Sequence, residues 1–208
     1  MVLIQANRYA TFSHSPNLYG MNMKKALVLC LILIFGISMT SCSHKVNVSG
    51  TRHLKCNIHA QASGHDTKAS YANWTDPGPG HLIIPVNSEV TFSGFRKGFV
   101  ITTLNDNRKT YFEYNANYMG MSDDQYISLI SSPTPVSVDK LSDSDKKGVK
   151  EGRASVGMTK EGVMMALGYP AGHKTPSLES NIWVYWQNRW KTIAVEFDEN
   201  GKVKNIRD

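Results

Sequence analysis

The chain has 208 residues, 41% hydrophobic and 19% charged, enough to bury a core and to fill one or two small domains. Lys and Arg number 23 against 17 Asp and Glu; three of the cations, Arg8, Lys24 and Lys25, precede Cys42, which leaves 20 against 17 beyond it. That mild excess, with no Lys/Arg block interleaved with aromatics, argues against a nucleic-acid partner.

Residues 1–22 show neither periodicity nor signal character and read as an upstream extension, with translation expected to start at Met21 or Met23. Residues 23–41, MKKALVLCLILIFGISMTS, have the layout of a secretory signal: Met23, two lysines, an apolar run from Ala26 to Ile37, then small or polar residues. The run is too short for a membrane span, which needs about 20 apolar residues. The next residue completes MTSC, Met39 to Cys42, which resembles the lipobox of bacterial lipoproteins, with Met39 where Leu is usual. The resemblance implies cleavage before Cys42, a diacylglycerol thioether on its sulfur and acylation of the new amino terminus. Cys42 is then the lipid anchor and the membrane a partner, held firmly because each buried acyl methylene contributes about 0.8 kcal/mol. Ser43 stands where Asp would favour inner-membrane retention, so the resemblance places the protein on the outer membrane, facing the periplasm. Cys30 leaves with the signal and Cys42 is consumed by lipid, which leaves Cys56 without a disulfide partner.

Residues 42–51 form a polar tether, and residues 52–132 read as a β-rich domain ending in a short helix. EVTFSGF and FVITTLNDNRKTYFEY are dense in β-branched and aromatic residues, with Asn105 to Arg108 as a hairpin loop. HLIIPVNSEVTF resembles the entry to bacterial SH3-like barrels, which implies a small all-β barrel. Two prolines and two glycines make WTDPGPGH, Trp74 to His81, a loop. In MSDDQYISLI, Ser122 and Gln125 form a capping box, Met121 and Tyr126 a staple, and Asp123 and Asp124 occupy the first turn, where the helix dipole favours negative charge. The prolines of SSPTPV, Ser131 to Val136, end that helix and mark a boundary.

Residues 140–208 predict two helices and three strands. KLSDSDKKGVKEG suits a surface helix capped by Ser142 and stopped by Gly152. In VGMTKEGVMMALGYP, Thr159 caps a second helix, Val163, Ala166 and Leu167 share one face, and Gly168 ends it before Pro170. Gly162 is the flaw, since it stands where a capping box wants Glu or Gln and costs about 1 kcal/mol relative to Ala. The strands are NIWVYWQ, WKTIAVEFD and KVKNI, with turns at Asn188–Arg189 and Asn200–Gly201.

Gly157, Met158, Thr159, Val163, Leu167, Gly168 and Pro170, followed by Trp183, Tyr185, Phe197, Gly201 and Val203, resemble the SmpA/OmlA (BamE-like) family of outer-membrane lipoproteins. The resemblance covers residues 140–208 only, and the familiar members lack a β-domain ahead of this unit. It implies an ααβββ domain with the helices packed on an antiparallel three-stranded meander, so the whole chain is expected to be of the α+β class. The repeats of the β-lactamase inhibitor protein share that layout.

A two-residue turn at Asn188–Arg189 puts Ile182, Val184 and Trp186 on the helix-facing side with Ile193, Val195 and Phe197. Trp183, Tyr185 and Trp190 then lie opposite, on a second apolar face that needs a cover, and are the candidate partner-binding surface. A one-residue change of register exchanges the two faces.

His53, Cys56 and His59 have a spacing that resembles metal ligation, but a strand puts them on alternating faces and no second ligand pair follows. His173, beside Lys174, has no nucleophile signature nearby. Asp123, Asp124, Asp143 and Asp145 read as helix-start acids. The sequence therefore predicts no catalytic residue, metal, cofactor or small-molecule substrate. The expected function is that of a lipid-anchored cell-envelope binding or assembly protein, an accessory to outer-membrane assembly acting through contact with an envelope protein. The alternative is a periplasmic inhibitor or a peptidoglycan-binding lipoprotein.

Overall fold

The computed structural model describes residues 45–64 and 66–208; the extension 1–22, the signal 23–41 and the Cys42 anchor lie outside the described residues. The described residues belong to one compact unit. Its strands are β1 (Arg52–Leu54), β2 (Ile58–Ser63), β3 (Asp66–Ser70), β4 (His81–Ile84), β5 (Glu89–Phe95), β6 (Gly98–Thr103), β7 (Lys109–Glu113), β8 (Ser131–Ser132), β9 (Ile182–Trp186), β10 (Thr192–Phe197) and β11 (Val203–Arg207). The described helices are α1 (Ala116–Met119), α2 (Asp123–Ile130), α3 (Asp143–Glu151) and α4 (Lys160–Leu167).

Eight strands make one mixed sheet in the order β4-β2-β3-β7-β6-β5-β1-β8, and three make a second in the order β11-β10-β9. All pairs are antiparallel except β3 with β7, which run side by side from Thr67↔Thr110 to Ser70↔Glu113. The apolar run of β6 is buried almost throughout, as an interior strand covered on both faces should be. Phe99 stacks on Phe112 with centroids 4.6 Å apart, and Tyr126 of α2 lies 5.7 Å from Phe112, so α2 closes the core of the large sheet. Ser122 and Gln125 make both bonds of the capping box that starts α2.

The expected α+β class, an SH3-like β-domain followed by a BamE-like ααβββ domain, is overturned. The described residues are mostly strand, in an eight-stranded curled mixed sheet and a three-stranded sheet, and the C-terminal part is not a BamE-like ααβββ domain. The physical reason is where the helix ends are satisfied. Side chains of α3 and α4 share a core with the small sheet through Val149, Val163, Leu167, Trp183 and Phe197. Their C-terminal carbonyls, however, bond to the large sheet: Asn57 Nδ2 donates to Val149 O at 2.7 Å, and the Asn57 N–H donates to Met165 O at 2.8 Å.

Helix α4 is tied to α3 by a buried carboxylate. Asp145, 1% exposed, accepts from Thr159 N at 2.7 Å, from Thr159 Oγ1 at 3.2 Å and from Ser142 Oγ at 2.7 Å. Gly162 lies against it, so closely that a Cβ there would overlap the carboxylate. The sequence flaw in α4 is thus the condition for this contact.

Candidate functional site: an aromatic groove

The carboxyl ends of β3 and β7 finish together, and the Tyr71 N–H donates to Glu113 O at 2.9 Å to close the pair. The turn between β5 and β6 comes to the same place, where the Tyr114 N–H donates to Lys97 O at 2.9 Å. Two loops border these ends. One runs from Tyr71 to Gly80, the other from Gln187 to Lys191 between β9 and β10. They are joined by backbone bonds from Thr75 N to Trp186 O and from Asp76 N to Gln187 O, both 2.9 Å.

Between them opens a cleft of about 550 Å³ that includes Tyr71, Trp74, Glu113, His173, Trp186 and Arg189. Two further hollows adjoin it. One adds Gln61, Pro77 and Trp190, the other Lys68, Phe95, Arg96 and Tyr111. Trp74 and Arg189 line all three, so the hollows form one branched groove. Three of the chain's four tryptophans border it.

Local geometry explains how these rings are held. Asn73 and Trp74 both have left-handed backbones, with φ of +66° and +47°, a conformation that costs a residue with a Cβ on the order of 1–3 kcal/mol. Asn73 is buried and fixes the turn by donating from Nδ2 to Leu167 O at 3.1 Å and to Tyr169 O at 2.8 Å. Across the groove, Asn188 Oδ1 accepts from the N–H groups of Trp190 and Lys191, which orders the loop that carries the 85%-exposed Trp190. His173 packs 5.0 Å from Tyr118 and 6.4 Å from Trp186, and Lys174 Nζ lies 5.2 Å from the centroid of Trp186. Partial burial, with Lys174 alongside, holds the His173 pKa below its usual value.

Of the partner-binding surface expected from sequence, only Trp190 is at the surface. Trp183 and Tyr185 are 1% and 0% exposed. Trp183 donates from Nε1 to Leu178 O at 3.2 Å and meets Phe197 edge-on at 4.8 Å; the Tyr185 hydroxyl donates to Gly168 O at 3.1 Å. The cause is register. Trp186 pairs with Thr192 and Tyr185 with Ile193, one residue away from the pairing of a two-residue turn, so Trp183 and Tyr185 face the helices and Ile182 is exposed.

The suspected ligand spacing likewise has another explanation. Cys56 is buried and its thiol is pushed up to about 12 by desolvation. His59 bonds Ala166 O through Nε2 at 2.9 Å and His81 Nε2 through Nδ1 at 3.0 Å. Among the described residues no group of three or more His, Cys, Asp or Glu is placed to hold a metal ion. Sequence reasoning missed Tyr71, Trp74, Trp186 and Arg189 as site residues. A tryptophan set in a Pro/Gly loop, where no strand or helix period accounts for it, was the available signal. Compared with protein-family models, curated proteins and solved structures, the chain finds no match.

Proposed function

We propose that the protein is a lipid-anchored component of the cell envelope that works by binding, with the aromatic groove as its contact site. The observation that carries this reading is the cluster of Trp74, Trp186 and Trp190 around one open groove. An 85%-exposed tryptophan on a loop ordered by its own asparagine has no packing role, and such rings are characteristic anchors at binding surfaces. The anchor part of the reading rests on the signal-like segment and on Cys42, with the outer membrane as the destination that Ser43 favours. No helix among the described residues is long and apolar enough to cross a membrane.

The test is expression of the full chain with an acyl label, followed by fractionation and mild-detergent co-purification. Wild type should carry label and sediment with membranes, and Cys42→Ala should lose both. Label and membrane recovery unchanged in the variant would overturn the anchor. If Trp190→Ala leaves retention of every bound component unchanged, the groove is not the contact site.

A further inference from the structure

We propose that the groove binds a strand of acidic saccharide, with sugar rings laid on Trp74 and their carboxylates paired by Arg189 and Lys97. The inference rests on the envelope-binding reading and names the ligand class for its site. Four observations carry it.

The first is shape. Trp74 and Arg189 belong to all three hollows, so the site is spread over adjoining open hollows, which suits a chain better than a compact molecule. The second is the pairing of flat aromatic surface with groups that read a polar rim. A pyranose ring has an apolar C–H face and hydroxyls around its edge. Trp74 offers the plane, while Asn115, Asn188 and Glu113 stand beside it with amide donors and carboxylate acceptors.

The third observation is the balance of charge. Arg189 and Lys97 border the main cleft, and Lys68 and Arg96 the adjoining hollow, against Glu113 and Asp66. The cationic excess matches an anionic ligand, and a guanidinium fits a carboxylate in two-point fashion. The two acids argue against a nucleic-acid strand. A carboxylate opposes phosphodiesters and sugar carboxylates alike, but it only accepts, and every saccharide ring offers it hydroxyl donors that a DNA strand lacks.

The fourth concerns backbone. An extended peptide that adds to a sheet needs a free strand edge. Strands β3 and β7 lie inside the large sheet. The edge of β9 is already engaged: Trp186 O and Gln187 O accept from Thr75 and Asp76, and the Val184 N–H donates to Thr175 Oγ1 at 2.9 Å.

The experiment uses the full acylated chain in detergent and follows tryptophan fluorescence. The probes are amidase-released peptidoglycan glycan strands, which keep their lactyl carboxylates, oligogalacturonate, neutral chito-oligosaccharide, and an oligodeoxythymidylate. At least one acidic saccharide should bind saturably, at least tenfold more tightly than the neutral one and the oligonucleotide, and more weakly as salt rises. The tighter of the two acidic probes indicates the source. Trp74→Ala and Arg189→Glu should each weaken binding tenfold or more. Arg189 is exposed, so that variant should keep the wild-type melting temperature. The proposal is overturned if neither acidic saccharide binds at millimolar sugar, if the neutral probe or the oligonucleotide binds as well, or if Arg189→Glu binds like wild type. Failure of all saccharide arms while Cys42-dependent anchoring and Trp190-dependent co-purification persist removes this inference alone. Loss of anchoring leaves saccharide binding in solution unaffected and removes the other.

Discussion

Replacing Gly162 with alanine should destabilise the protein, against the trend of helix propensity. At an unconstrained interior position of a helix the change stabilises by about 1 kcal/mol. Gly162 is buried in the first turn of α4, and a methyl group there would overlap the Asp145 carboxylate. That carboxylate is 1% exposed and holds three hydrogen bonds, two from Thr159 and one from Ser142. Hydrogen bonds to a charged group contribute about 1.5–3 kcal/mol each, and a charge left buried without partners costs more. Displacing Asp145 enough to break two of them outweighs the propensity gain and leaves a net loss of about 2–4 kcal/mol, or roughly 5–15 °C in Tm for a unit of this size.

A double-mutant cycle makes the cause visible. Urea unfolding and thermal melting would be followed for wild type, Gly162→Ala, Asp145→Ala and the double variant. With the carboxylate gone, the alanine at 162 has room, and its substitution should become neutral or stabilising. The coupling between the two sites should be at least about 2 kcal/mol. A single Gly162→Ala variant as stable as wild type would refute the close approach of α4 to Asp145.

Two further outcomes follow from buried groups. His59 is 3% exposed and its pKa is pushed down from 6.5 to about 4, by burial first, against the Ala166 bond and with His81 alongside. The unfolded chain therefore binds the proton more readily, so stability present above about pH 6.5 is lost as pH falls towards 4, by up to about 3 kcal/mol. Urea unfolding at pH 7.5, 5.5 and 4.5 should show that part of the slope vanish in His59→Gln, and equal slopes in both proteins would refute it. Cys56 should resist thiol reagents in the native protein at pH 8 and react only after denaturation, because the thiol is both buried and pushed up to about 12. Stoichiometric labelling of the native chain would contradict this.

What the sequence made legible was mostly local. The caps at Ser122, Ser142 and Thr159 were readable because a cap uses residues within three positions of itself, and each bonds the helix amide expected of it. The faces of β9 were not readable, because the Gln187 N–H bonds Lys191 O around three turn residues instead of two, with the Asn188 side chain ordering them, and one residue of register decides whether Trp183 points in or out. The parallel pairing of β3 with β7 has no local signal either, since it joins segments about forty residues apart. In the sequence Asp145 reads as a helix-start acid, but its carboxylate also serves Thr159 fourteen residues later. The groove stayed hidden for the same reason: Trp74 comes from one loop, Trp186 and Trp190 from the end of β9 and the loop after it, and the two sets meet only in three dimensions.

The joint between the two sheets also decides the shape of the groove. A helix leaves its last four carbonyls without partners inside itself. Here Val149 O, at the end of α3, and Met165 O, Ala166 O and Leu167 O, at the end of α4, accept from Asn57, His59 and Asn73. Separating the helices from the large sheet would leave those carbonyls and three buried polar side chains to find new partners, which disfavours an independent C-terminal unit. Asn73 belongs to this set and is also the residue that turns the chain into Trp74. The bonds that fasten α4 to the large sheet therefore hold the central ring of the groove as well. The loop with Trp190 leaves the other side of that joint, bonded through Trp186 and Gln187 to the segment that follows Trp74. Both sides of the groove are thus fixed by polar contacts made where the sheets meet, and its geometry belongs to that junction, not to either sheet alone.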